Sequence, residues 1–171
     1  MSVSRPSEPV TTGPDGMRTA FKEWAVICRA LAHGRQDVIL RKGGIDEAAG
    51  FRLEQSEFLL LPTFLHQSAD SLIPAAADLL VDMEGDRPPP GTVVFTHAAR
   101  VVQAWQIETL ADLAAFRDRH VWSEAVVAER FHRWRDELHV LAVAVQALPE
   151  PLSIPWHDDY GGCRSWVTLR G

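Results

Sequence analysis

Hydrophobic residues recur at helical or strand spacing along most of the chain, after a polar beginning. Over Arg18–His33 the apolar positions follow an i, i+3, i+4 spacing, which predicts a helix. Gly34 would end this helix, because glycine readily adopts the left-handed conformation of a helix C-terminus. A strand through Trp24–Cys28 is the alternative, because that stretch contains two neighbouring β-branched residues.

Short apolar runs bounded by glycine or proline predict strands. We expect strands at Asp37–Arg41, within Phe51–Phe64, at Thr92–Ile107 as one bent strand or two, at Leu138–Leu148 and at Ser165–Leu169. Gly43 and Gly44 would end the first of these strands. Pro62 would halt the second, and Pro149 and Pro151 would end the fourth, because proline removes a backbone donor.

Two later segments carry helix-capping sequences. Thr109 and Asp112 form a capping box that would open a helix over 110–119. Ser123 is a favourable N-cap for a second helix over about 124–137.

The order of these elements is mixed, which is typical of an α+β fold. We expect about three helices and five or six strands in a single α+β domain over residues 17–171, with a mixed sheet or a partly closed barrel. Residues 1–16 are rich in Ser, Thr, Pro and Gly, and we expect them to form a disordered tail.

The composition narrows the functional classes. The 171 residues carry a formal net charge of −6, which argues against a broad nucleic-acid or membrane surface and leaves room for a small basic patch. No apolar run of about 18 residues is present, so we expect no transmembrane helix and no membrane partner. No signal peptide is visible, so we expect a cytoplasmic protein in which Cys28 and Cys163 are free thiols. The sequence does not predict the oligomeric state.

Lysine is rare in this chain, and one lysine stands in the segment Arg41-Lys42-Gly43-Gly44. The 17 basic residues are 15 arginines and two lysines, Lys22 and Lys42. A lysine ammonium is compact and can lose its proton when buried, whereas a guanidinium stays charged. The two glycines allow close backbone approach. We interpret this segment as the leading candidate for a site, and the alternative is a solvated strand end beside a turn.

A second polar cluster, Thr63, His66 and Gln67, follows an apolar strand. All three side chains can form hydrogen bonds, and ligand sites often lie at strand ends. The alternative is a turn in which Thr63 is a cap and His66 is exposed.

A third polar cluster, Tyr160, Cys163 and Arg164, precedes the last predicted strand. Cys163 is a candidate nucleophile with His157 or His66 as its base, and the alternative is a small buried hydrophobe. His157, Asp158, Asp159 and Cys163 are all of types that can bind a metal. A zinc site would need a second Cys or His at fixed spacing, and none follows, so we interpret this segment as a polar loop.

One stripe on the predicted helix over 124–137 also resembles a metal-binding pattern. Its members are Glu129, His132, Asp136 and His139. It lies opposite the apolar stripe of that helix, so we interpret it as a solvated face with ion pairs. We expect no metal and no cofactor.

Four motifs occur along the chain. They are Phe21-Lys22-Glu23-Trp24-Ala25, Leu40-Arg41-Lys42-Gly43-Gly44-Ile45, Pro62-Thr63 with His66-Gln67, and Tyr160-Gly161-Gly162-Cys163-Arg164-Ser165-Trp166. Together, and in this order, they resemble the bacterial domain-of-unknown-function 1802 family over roughly residues 20–170. That family brings no established activity. Its members often have an acidic residue before the His-Gln pair, where this chain has Leu65.

A second resemblance concerns the fold. The segment Ala30–Arg41 is similar to the start of ASCH domains of the PUA-like superfamily, in which a helix, a glycine and a strand ending in arginine follow one another. Gly34 and Arg41 match that pattern, whereas Gln36 and Ile39 stand at the usual lysine and glutamate places. Such domains are small, partly closed barrels that bind RNA or nucleotides, so this resemblance implies a function by fold analogy alone.

Two hypotheses for function follow. The first is a module that binds a small anionic ligand, such as a nucleotide, or an RNA segment, in a pocket built from residues 41–44, 62–67 and 160–166. Its ligand-binding candidates are Arg41, Lys42, Gly43, Gly44, Thr63, His66, Gln67, Tyr160 and Arg164. The second is an enzyme that uses Lys42 and His66 as acid and base on a phosphoester or acyl bond. We favour binding, because no complete catalytic set can be named.

Overall fold

The computed structural model describes residues 17–42, 51–65 and 67–170. The predictions for the tail over 1–16, for Gly43 and Gly44, and for His66 lie outside these ranges. None of the helices within them is long and apolar enough to cross a membrane.

One mixed sheet of six strands forms the centre of the described fold. The strands are β1 (Thr19–Trp24), β2 (Val38–Arg41), β3 (Glu57–Thr63), β4 (Thr92–Ile107), β5 (Leu138–Pro155) and β6 (Trp166–Thr168). Their order across the sheet is β2-β5-β4-β3-β1-β6. The β1–β3 pair is parallel and the other neighbouring pairs are antiparallel. The predicted α+β class with a mixed sheet is confirmed.

Helical segments occupy the connections. The α-helices are α1 (Ala25–Ala32), α2 (Leu110–Leu113) and α3 (Glu124–His132), and short 3-10 helices cover Ala69–Ser71, Pro74–Leu80, Met83–Asp86, Ala114–Arg119 and Asp158–Tyr160. The Thr109 hydroxyl accepts from the Asp112 N–H at 3.1 Å, and the Ser123 hydroxyl accepts from the Val126 N–H at 3.3 Å. Both predicted helix starts are therefore confirmed.

The central strands of the sheet are buried on both faces. Phe21 of β1 and Leu60 of β3 belong to the main core, which also contains α1. Their neighbours Ala20 and Leu59 point the other way, into a second apolar cluster. The uninterrupted apolar run in β3 is typical of a strand covered on both sides.

The first predicted helix is correct only in its second half. The chain is a strand up to Trp24 and becomes helical at Ala25. Strand β1 lies between β3 and β6, and these long-range pairings override the local helical spacing. The predicted helix end is confirmed, since Gly34 has a φ of +70°.

Prolines end neither of the strands that they were predicted to end. Pro62 lies inside β3 beside Glu23 of β1, beyond the stretch in which β3 pairs with β4. Strand β5 continues to Pro155 because a register shift leaves residues 148–151 opposite Thr96 alone. The ladder is irregular there, so prolines are tolerated.

Candidate ligand-binding cleft

A cleft of about 750 Å³ opens beside the end of the parallel β1–β3 pair. Trp24 and Thr63 are register partners, so β1 and β3 end at the same edge of the sheet. The wall also includes the end of β2, the segment over 86–94 that leads into β4, the end of α3 and residues of the segment over 156–164. The volume suits a small-molecule site.

Basic side chains outnumber acidic ones in the described lining of the cleft. The basic residues are Lys22, Arg41, Lys42, Arg87, Arg130, Arg133 and Arg164, and the acidic residues are Glu23 and Asp86. The whole chain has the opposite balance, with a net charge of −6. The cleft is therefore a local positive patch on an acidic protein.

Several predicted site residues contribute to this lining. They are Arg41, Lys42, Thr63, Tyr160 and Arg164. The Arg41 Nε donates to the Ser165 hydroxyl at 2.9 Å, which joins β2 to the segment before β6. The Thr63 hydroxyl donates to the Glu23 carbonyl at 3.3 Å, which joins β3 to β1. Parts of the three predicted segments thus surround the end of β1.

Lys42 is a structural cation in this arrangement. Its Nζ donates to the Phe131 carbonyl at 2.9 Å and to the Glu137 carbonyl at 2.8 Å. It also donates to the Arg135 carbonyl. An ammonium has three N–H donors, so all of them are used. Lys42 therefore has no N–H left for a ligand unless one of these bonds breaks.

The same contacts explain why α3 ends at His132 instead of continuing to residue 137. Beyond the helix, the carbonyls of Arg135 and Glu137 turn toward Lys42. Trp134 has a φ of +64° there, in the left-handed region, and its side chain is exposed. A regular helix could not direct these carbonyls at one ammonium, so Lys42 shapes the segment next to the cleft.

The acid–base role predicted for Lys42 finds little support in its surroundings. The pKa of Lys42 lies below its usual value, because burial lowers it more than the carboxylate of Glu137 raises it. The three carbonyl acceptors oppose this shift, because only an ammonium can donate to all three.

Gln67 holds α1 in place. Its Oε1 accepts from the Val26 N–H at 3.0 Å, where the N-cap residue Trp24 supplies no side-chain cap. Its Nε2 donates to the carbonyls of Thr63 at 3.2 Å and Leu65 at 3.0 Å. These bonds assign Gln67 to the connection between β3 and α1 instead of to ligand contact.

Tyr160 and Cys163 differ in their environment. Tyr160 is buried, and its hydroxyl accepts from the Arg170 N–H at 2.9 Å. Cys163 is an exposed free thiol in the cleft wall, so the alternative of a buried small hydrophobe is wrong. The Nδ1 of His157 accepts from the Asp159 N–H at 3.1 Å, so this nitrogen caps a turn instead of activating a thiol.

The sequence analysis did not identify Glu23, although this residue lies in the first of the four motifs. The residue belongs to the cleft lining, and its carboxyl group is fully buried. The Oε1 accepts from the Trp24 N–H at 2.8 Å. The Oε2 has no hydrogen-bond partner among the described residues and lies 3.8 Å from the Nη1 of Arg41. The available signal was the charged pair Lys22-Glu23 between the aromatic residues Phe21 and Trp24.

Arg130 was also not predicted. Its guanidinium carbon lies 4.0 Å from the ring centroid of Trp122 and 5.5 Å from that of Trp24. Burial lowers the pKa of Arg130 and the charge of Glu23 raises it, yet an arginine stays protonated in proteins. Glu23, Arg41 and Arg130 thus form a cluster of two cations and one anion beside the cleft.

The predicted stripe does not form one helical face, because Glu129 and His132 are on α3, Asp136 follows the helix and His139 lies in β5. His132 lies 2.8 Å from Asp136, and Glu129 lies 2.6 Å from Arg133, so its exposed members contact polar neighbours as a solvated surface would. Within the described ranges, no group of three or more His, Cys, Asp or Glu side chains is placed to hold a metal ion.

The fold is similar to that of solved ASCH proteins from Zymomonas mobilis. A serine-to-alanine variant has a TM-score of 0.53 and 12% sequence identity, over 89% of this chain and 87% of that chain. The ASCH structure from the same organism has a TM-score of 0.50 and 11% identity, over 89% and 87% of the two chains. At such identities the likeness concerns the fold alone.

The family described as Domain of unknown function (DUF1802) matches residues 20–171. The chain belongs to this family, as its four motifs predict. No curated protein sequence matches the chain.

Proposed function

We propose that this protein is a binding module for an anionic ligand, a nucleotide or an RNA segment, held in the cleft. The observation that carries the proposal is the excess of basic side chains in the described lining on a chain of net charge −6. Guanidinium groups suit phosphate because their planar N–H donors can bind two oxygens at once. Nucleotides and RNA are the ligands that the ASCH resemblance implies, and this part of the proposal is analogy.

The cleft also offers apolar surface beside its charges. Trp24 and Phe64 are half-buried in the lining, next to a run of three prolines. The guanidinium carbon of Arg87 lies 5.1 Å from the ring centroid of Phe64. Aromatic and guanidinium planes are the surfaces on which nucleobases stack, at about 1–3 kcal/mol per base. A ligand with both phosphate and a flat base would use both kinds of wall.

The enzyme hypothesis is weaker because the ammonium of Lys42 already donates to three backbone carbonyls.

Substitution inside and outside the cleft tests the proposal. We expect Arg164→Gln and Arg41→Gln each to weaken binding of labelled single-stranded RNA by about tenfold, since a hydrogen bond to a charged group contributes about 1.5–3 kcal/mol. The control is Arg117→Gln, which removes the same charge from an exposed ion pair with Glu124. Fluorescence anisotropy at low salt gives the affinities.

The control should bind RNA as the unchanged protein does. Equal weakening in all three variants would mean that net charge, and not the cleft, governs binding. No binding of RNA or nucleotide to the unchanged protein would remove the proposal altogether.

A further inference from the structure

A buried carboxylate is unexpected at the base of a cleft that receives only anions. Glu23 is 1% exposed, and its Oε2 lacks a hydrogen-bond partner among the described residues. Leaving such an acceptor unpaired costs about 1–3 kcal/mol, and more for a charged group. Unpaired buried groups of this kind often mark a place that a ligand fills.

The neighbouring arginines balance the charge of Glu23 without satisfying its hydrogen bonding. The Nη1 of Arg41 is 3.8 Å from Oε2, beyond hydrogen-bond length, while its Nε donates to Ser165. Arg130 stacks on Trp122. A charged acceptor therefore lies enclosed beside the cleft, with its electrostatic partner in place and its donor missing, and a ligand reaches it only when a neighbouring side chain moves.

The position of this acceptor restricts how a ligand can lie. Phosphate placed against Oε2 would meet a like charge, so the phosphate belongs nearer to Arg133 and Arg164, which are exposed basic residues of the lining. The part of the ligand that reaches Glu23 must be a neutral hydrogen-bond donor. The neutral donors of a nucleotide are the ribose hydroxyls and the N–H groups of the base, and the half-buried rings of Trp24 and Phe64 in the lining favour the base.

We propose that Glu23 is a specificity-determining residue whose Oε2 accepts an N–H from the exocyclic amino group of a nucleobase. This inference rests on the proposed function and names its ligand class: nucleotides or RNA residues whose base carries an amino group, bound base-inward. Carboxylates accept from such amino groups in nucleic-acid recognition. A base with a carbonyl in the place of the amino group would direct its carbonyl oxygen at Oε2, so that two acceptors would face each other.

Two nucleotide pairs provide the test. In each pair a carbonyl replaces the amino group, and the ring nitrogen beside it changes from an acceptor to an N–H donor. We expect the unchanged protein to bind cytidine monophosphate at least about fivefold more tightly than uridine monophosphate, which corresponds to one good base contact of about 1–3 kcal/mol. Adenosine monophosphate should likewise bind more tightly than inosine monophosphate. Titration calorimetry measures all four affinities.

The Glu23→Gln variant identifies the residue responsible. Its amide can donate as well as accept, so the ratio of cytidine to uridine affinities should fall to about one. The Arg164→Gln variant should weaken all four nucleotides and keep the ratio. Thermal melting shows whether each variant is folded. The comparison of paired nucleotides on the unchanged protein does not depend on any variant.

The outcomes separate the two proposals. Equal binding of the paired nucleotides to the unchanged protein, or an unchanged ratio in folded Glu23→Gln, would overturn the role of Glu23. Absence of mononucleotide binding with RNA binding retained would overturn this inference and leave the proposed function standing. Loss of RNA binding as well would overturn both.

Discussion

Removing the ammonium of Lys42 should destabilise the fold strongly. In Lys42→Met the side chain keeps its approximate length but can no longer donate to the three carbonyls that converge on Nζ. Arg135 is exposed, so its carbonyl can turn to water. The Phe131 carbonyl also accepts from the Glu137 N–H at 3.2 Å and can keep that bond. Glu137 is buried, so its carbonyl has no water to replace the ammonium.

One buried acceptor without a donor costs about 1–3 kcal/mol, and the lost bonds to Phe131 and Arg135 add to this cost. Relief from burying a charge offsets part of this loss. We therefore expect the free energy of unfolding to fall by about 2 kcal/mol, and a domain of this size loses about 2–4 °C in Tm for each kcal/mol. The expected decrease in Tm is about 4–8 °C.

Thermal and urea unfolding followed by circular dichroism measure the effect. Lys42→Arg should also lose most of the stability that the Lys42 ammonium contributes, because a planar guanidinium cannot direct its donors at three carbonyls that converge on one point. Arg117→Met, the surface control, should change the free energy of unfolding by less than about 0.5 kcal/mol. If Lys42→Met kept its Tm and lost ligand binding, our assignment would be wrong and Lys42 would be a site residue.

Two further side chains yield stability predictions. Gln67→Met removes the cap from α1 and should lower the free energy of unfolding by about 1–2 kcal/mol; lost RNA binding at unchanged stability would instead make Gln67 a ligand contact. Burial lowers the pKa of His120 from its usual 6.5, and its Nδ1 accepts from the Trp122 N–H. The unfolded chain therefore takes up a proton first, so stability is lost as pH falls from 6.5 through the lowered pKa. His120→Asn keeps an acceptor and should flatten this loss in urea titrations at about pH 7 and about pH 5; parallel profiles would contradict the assignment.

Local chemistry accounts for the elements that the sequence predicted well. The caps at Thr109 and Ser123 and the glycine at Gly34 act within one turn of their helices, so neighbouring residues suffice to identify them. The buried run of β3 is similarly visible because every residue in it is apolar.

Long-range contacts account for the two helix predictions that were wrong in extent. Strand β1 has helical spacing and is a strand because β3 and β6 pair with it. Helix α3 ends early because Lys42 lies 89 residues before the Phe131 carbonyl that it binds. Such partners are known only once the chain is folded.

The residues of the cleft likewise divide into those that local sequence predicts and those that only the fold reveals. Polar residues at the borders of apolar runs pointed to Arg41, Thr63 and Arg164, which are in its lining. Glu23 was hidden within an apparently helical pattern, and its unpaired oxygen is visible only in the fold. Gln67 is a polar residue of a type common in binding sites, but the Val26 N–H from which its Oε1 accepts lies 41 residues earlier in the chain.

The salt dependence of RNA binding tests the central claim most directly. If the cleft neutralises two or three phosphates, the logarithm of affinity for a short single strand should fall with the logarithm of salt at a slope of about −1.5 to −2. In the Arg41→Gln/Arg164→Gln double variant the slope should shrink by about 1, with weaker binding at every salt concentration. A slope steeper than about −4 would require a broad basic surface, and an unchanged slope in the double variant would contradict binding in this cleft.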